Sequence, residues 1–137
     1  METLVIVIAA EGWGLQAVAN ALESSHQVSL VDDRYLEVSQ ATSSAYVCVM
    51  DPQEDGLFED WPEALIPKGP FAAFSVDYRD PLLMESIVRE ISAKATTVID
   101  TNFGDVVSGG EFIARIDRDN PRWEWWHWPH DIDDSFA

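Results

Sequence analysis

The run Leu4, Val5, Ile6, Val7, Ile8 is unbroken by any polar residue and closes on Glu11, Gly12 and Gly14. This is the pattern of a strand buried on both faces, and it predicts a central strand. Leu15, Val18 and Leu22 then recur at helical spacing over residues 15–24. Ser24, Ser25 and His26 break that pattern, and Val28, Leu30 and Val31 predict a second strand. Two further segments, Ala45 to Met50 and Phe71 to Tyr78, carry the Val, Tyr and Phe content of strands. Asp80 before Pro81 reads as an N-cap followed by proline at the first helical position. Behind it, Leu83, Ile87 and Ile91 with Met84, Val88 and Ala95 form an apolar stripe about 100° wide. Thr96 to Asp100 predicts another strand. A last short helix has Ser108 as its cap, Glu111 three residues on as in a capping box, and Phe112, Ile113 and Ile116 as its buried face. Asn120 and Pro121 end it.

The predicted order is β-α-β-β-β-α-β-α. Each helix must bury its stripe on a sheet face, so the simplest packing is an α+β domain: a mixed sheet of about five strands covered by two or three helices, with α/β as the neighbouring class. The β-α-β half at each end resembles a ferredoxin-like arrangement. Residues 1–121 read as a single domain. Residues 122–137 read as a Trp-rich, acidic C-terminal segment packed on it. Ile6, Val28, Ile87, Val88 and Val98 are the predicted core.

Composition changes this picture in one respect, its charge. The 137 residues include 25 Asp and Glu against 8 Lys and Arg, a formal net charge of −17, while 47% are hydrophobic. That apolar content belongs to a folded chain, so the acids must be carried on the surface of a packed body. The field repels nucleic-acid phosphates and anionic membranes, and it attracts basic proteins. Direct nucleic-acid binding and membrane association are therefore not expected. Cys48 is the only cysteine, which excludes an intrachain disulfide framework and fits a reducing, cytoplasmic location. The apolar stretch Leu4 to Ala10 is far shorter than the roughly 20 residues of a spanning helix.

The acids are unevenly placed. Between Tyr35 and Pro67 there is no Lys or Arg, yet Glu37, Asp51, Glu54, Asp55, Glu59, Asp60 and Glu63 all fall there. Leu57, Phe58 and Trp61 are interleaved with them, the composition of apolar anchors inside an anionic rim. Glu54, Asp55, Leu57, Phe58, Glu59, Asp60, Trp61 and Glu63 are thus the first candidate partner-binding residues. The competing reading is that Phe58, Trp61 and Leu65 pin a short loop helix to the core. A second acidic and aromatic surface is offered by Trp125, Trp128, Asp131, Asp133 and Asp134, unless the tryptophans, Trp123 and Trp126 above all, close the core.

Signals for small-molecule chemistry are weak. Asp51, Glu54 and Asp55 lack the alternation of a calcium loop. His127 and His130 straddle Pro129 near a chain end without the converging ligands of a zinc site, so no metal and no cofactor is expected. Gly12 and Gly14 lack the third glycine of a dinucleotide fingerprint, and Ser75 and Ser108 have no identifiable His partner. Asp77, Asp80, Asp100 and Asp105 lie at strand ends, where carboxylates serve either as acid and base or as caps and turn residues.

In size, acidity, single cysteine and lack of a catalytic motif, the chain resembles the small acidic immunity proteins that bacteria make against their own toxins. The resemblance implies a cytoplasmic, non-enzymatic inhibitor that binds a basic toxin domain and occludes its active site; it covers overall character and assigns no residue a role. The alternative is a small enzyme or ligand-binding α/β protein that uses the strand-end carboxylates or the His/Asp cluster.

Overall fold

The apolar run at the N-terminus forms β1 (Glu2–Ile8), and its lack of polar positions follows from its place inside the sheet. It is paired on one side with β5 (Ala72–Tyr78) and on the other with β6 (Thr97–Asp100), both antiparallel. The computed structural model describes residues 1–53, 55–118 and 122–128. The remaining strands are β2 (Gln27–Leu30), β3 (Tyr35–Gln40), β4 (Ser43–Val49) and β7 (Val106–Ser108). Three helices accompany them, α1 (Leu15–Leu22), α2 (Pro81–Ser92) and α3 (Gly109–Ile116).

The fold is α+β, but the sheet has seven strands rather than about five, in the order β2-β3-β4-β5-β1-β6-β7. Every neighbouring pair is antiparallel. The mixed sheet and the ferredoxin-like arrangement are therefore corrected. β2 does not return beside β1 but crosses to the far edge of the sheet, and β3 and β7 are strands that the apolar pattern does not announce. β3 buries only Leu36 and Val38 and turns Tyr35, Glu37 and Ser39 outward. Edge placement also leaves Val28 half-buried, while Ile6, Ile87, Val88 and Val98 are buried as predicted.

One sheet face carries all three helices. Leu4, Ile6 and Ile8 of β1, Phe74, Val76 and Tyr78 of β5 and Ile99 of β6 meet the helical stripes there. The expected caps hold α2 and α3 in place. Asp80 accepts from the Leu82 amide at 3.0 Å, and Ser108 accepts from the Glu111 amide at 3.1 Å. Gly109 has a steric reason: a Cβ there would collide with Thr97 Oγ1 and Ser92 Oγ, so only glycine lets α3 start this close to β6 and α2. The tryptophan segment completes this layer, with Trp125 only 1% exposed. Its indole Nε1 donates to Glu85 Oε2 at 2.8 Å, and the Arg122 guanidinium donates to the same oxygen at 2.8 Å. A buried carboxylate with two such donors is satisfied, and it fixes residues 122–125 on α2.

The opposite face is divided. Its β1, β5, β6 and β7 portion is covered by the connection that follows β4, whose apolar residues form a second, smaller core with Val5, Val7, Ala73 and Val98. Its β2, β3 and β4 portion is polar and carries no covering element among the described residues. Register places Ser29, Glu37, Tyr46, Asp77 and Thr3 in one row across five strands. Among the described residues no helix is long and apolar enough to cross a membrane.

Candidate protein-binding face

Pro52, Gly56, Pro62 and Pro67 make regular structure unfavourable over residues 51–67, and the chain instead closes its backbone bonds locally in tight turns. The Leu57 amide donates to Pro52 O at 3.0 Å, the Trp61 amide to Phe58 O at 3.3 Å and the Leu65 amide to Pro62 O at 3.0 Å. Glu63–Leu65 is a single 3-10 turn. Gly56 has φ +61, and the Glu59 carboxylate folds over the space where a side chain would stand. Eight amides of the segment bond within it, to backbone carbonyls or to Asp51 Oδ1, which holds its turns without a partner strand.

The larger described side chains divide between two sides. Leu57, Phe58, Leu65 and Ile66 turn down onto the sheet, while Asp55, Glu59, Asp60 and Glu63 are exposed. Trp61 is only 8% exposed, lies edge-on to Phe58 at 4.9 Å, and donates from Nε1 to Asp100 Oδ2 at 3.1 Å. The pinning reading therefore describes Trp61, which fills the second core instead of standing as a free anchor. Glu54 lies outside the described residues.

Exposed apolar surface occurs beside this acidic layer instead. Val49 is 54% exposed at the end of β4, and Phe71 packs edge-on to Phe58 at 5.4 Å while remaining open to solvent. With Trp13, Met50 and Pro52 they line a shallow cleft at the margin of the layer. The sequence pattern placed Val49 and Phe71 within the predicted strands 45–50 and 71–78; Val49 ends β4 and Phe71 precedes β5, and that position exposes them. The C-terminal candidates also divide. Trp125 is core, correcting its assignment to a surface, whereas Trp128 is 55% exposed and packs edge-on to Phe103. Trp123 and Trp126 are half-buried against the core. Asp131, Asp133 and Asp134 lie outside the described residues.

Electrostatic pairing separates the two sides of the sheet. Arg89 pairs with Asp117, Lys94 with Glu90, Arg115 with Glu111 and Asp105, and Arg122 with Glu85, all on α2, α3 and their flanking segments. None of Asp55, Glu59, Asp60 or Glu63 has an ion-pair partner among the described residues. These four exposed carboxylates thus stand over the second core without compensating bases among the described residues.

The carboxylates considered for acid–base chemistry are engaged structurally. Asp77 accepts from Thr3 Oγ1 at 2.7 Å, and Asp80 caps α2 while accepting from Ser43 Oγ at 2.8 Å. Asp100 accepts from Trp61 and from the Asn102 amide, and Asp105 faces Arg115. His127 Nε2 lies 2.9 Å from Glu124 Oε1, and no group of three or more metal-capable side chains converges among the described residues. Burial, and secondarily Asp77, push the Cys48 thiol up, away from the thiolate a nucleophile needs. One pairing had no signal in the sequence. His26 Nε2 is 2.8 Å from Ser86 Oγ, with Nδ1 3.2 Å from Leu22 O. Ser86 lies inside α2, where the amides are engaged in the helix ladder and none is free to stabilise an oxyanion. The pair clamps the end of α1 to α2.

Comparison with protein-family models, with curated proteins and with solved structures finds no match to this chain.

Proposed function

We propose that this is a non-enzymatic binding protein that captures a basic protein domain, in the manner of an immunity protein protecting against a toxin. The observation that carries the reading is the uneven pairing of charge: Arg89, Lys94, Arg115 and Arg122 pair with acids of α2, α3 and their flanking segments, whereas Asp55, Glu59, Asp60 and Glu63 over the second core have no base within ion-pair distance among the described residues. A solubilising charge has no reason to be segregated in this way, whereas uncompensated carboxylates steer a basic partner and strengthen its encounter. Asp55, Glu59, Asp60 and Glu63 supply the rim. Phe71 and Val49, beside Leu57 and Phe58, supply apolar contact, and Trp61 holds the layer in shape from beneath.

The engagement of Asp77, Asp80, Asp100 and Asp105 in caps and turns favours this reading over a small enzyme. Its test is whether a gene adjacent to this one encodes a basic domain and whether that domain, inactivated by mutation of its own active site, binds this protein. Tight association that weakens with salt is expected. A neighbouring gene without a basic domain, or salt-independent binding, overturns the reading.

A further inference from the structure

We propose that the free edge of β2 is a strand-addition site for an extended segment in which apolar residues alternate with Lys or Arg. β2 is the outermost strand of the sheet. The Val31 amide donates to Tyr35 O at 3.2 Å, so residues 31, 29 and 27 direct their backbone groups toward β3. Alternation then directs the amides and carbonyls of Val28 and Leu30 outward. No turn, loop or side chain among the described residues bonds them.

Edge strands are normally blunted by Lys, Pro, a bulge or extreme shortness. Gln27–Leu30 has no charge and no proline, and Leu30 and Val31 are 49% and 48% exposed. The other edge, β7, has three residues and runs directly into α3. An added strand would set apolar side chains beside Val28 and Leu30 on one face. On the other it would set side chains beside Gln27 and Ser29, in the shallow depression that these line with Glu37 and Ser39. Asp32 and Asp33 follow this edge in the connection from β2 to β3, where Arg34 is the base, and Glu37 and Glu23 line the depressions beside Gln27. That charge selects a basic strand and opposes a second copy of this chain, which carries the same net charge of −17. The inference rests on the proposed function only for the sign of the partner's charge.

The test uses the whole protein and a synthetic peptide of alternating Lys and Val, about eight residues long, a length that matches a strand. Amide hydrogen exchange is followed residue by residue at low salt. The peptide is expected to slow exchange at Val28 and Leu30 by roughly tenfold or more. A peptide of the same sequence with N-methyl groups on one edge keeps the charge and side chains but loses the donors, and it is expected to have no such effect. Leu30→Pro removes an outward donor without touching the β2–β3 ladder, and it is expected to abolish the response while Ser29 and Glu37 stay protected. Equal protection by the methylated peptide, or protection of Val28 and Leu30 already in the free protein, overturns the inference. Peptide effects confined to residues 55–63 also overturn it while leaving the proposed function standing; failure of the neighbouring basic domain to bind, with the edge still protected by peptide, overturns only the proposed function.

Discussion

The two sides of the sheet are built to different rules. On the helical side, three apolar stripes and the Trp125 indole bury against alternate residues of every strand, and Arg89, Lys94, Arg115 and Arg122 each pair with an acid there. On the other side a single irregular connection covers half the sheet with a thin core around Trp61 and turns unpaired carboxylates outward. Stability is therefore concentrated in one layer and negative field in the other. A protein arranged in this way can bear like-charge repulsion on its binding side, because the layer that holds the fold together is not the one that carries the excess charge.

The largest effect should come from the helical layer. Trp125→Ala removes a buried indole and strands the Glu85 carboxylate with Arg122 alone, and is expected to cost about 3–5 kcal/mol in urea unfolding. A change near zero would mean that residues 122–125 do not belong to the core. On the opposite side, Trp61→Phe keeps the ring contact with Phe58 and loses the bond to Asp100. It should cost about 0.5–1.5 kcal/mol. A loss equal to that of Trp125→Ala would erase the contrast between the layers.

Tyr78 gives a smaller and more specific test. Its hydroxyl is buried and bonds no described group, so Tyr78→Phe should leave stability at neutral pH unchanged or slightly higher. Burial, and then the nearby Glu2 carboxylate, raise its ionisation well above the ordinary tyrosine value of about 10. The unfolded chain then releases this proton first. The contribution is fully present below the ordinary value and is lost as pH rises past it toward the folded value. Urea melts between neutral and strongly alkaline pH should show this loss in the wild type and a shallower one in Tyr78→Phe; parallel curves would remove Tyr78 as the cause.

What could be read from the sequence follows the same division. β1, α2 and α3 are legible because continuous burial, a 3.6-residue stripe and side-chain caps are local signals. β3 and β7 are not, since an uncovered strand needs only alternate apolar residues, and Leu36 and Val38 alone do not distinguish a strand from a loop. Antiparallel pairing throughout was hidden because the destination of β2 depends on partners far along the chain. The acidic segment was visible in composition, yet the direction of each side chain was not: Trp61 and Phe71 differ in role only through what lies beneath them. Trp125 and Trp128 are separated by a contact to Glu85, 40 residues earlier, which no spacing within the segment encodes.

The most direct test of function uses substitutions that touch neither core. Replacing Asp55, Glu59, Asp60 and Glu63 together with Lys alters exposed side chains without ion-pair partners, and should shift the unfolding free energy by no more than about 0.5 kcal/mol per site. The association rate with the basic neighbouring domain, followed by stopped flow over a series of salt concentrations, should nevertheless fall by roughly tenfold or more at low salt and lose most of its salt dependence. An unchanged rate and salt slope in this folded variant would contradict the assignment of the acidic layer as the binding face.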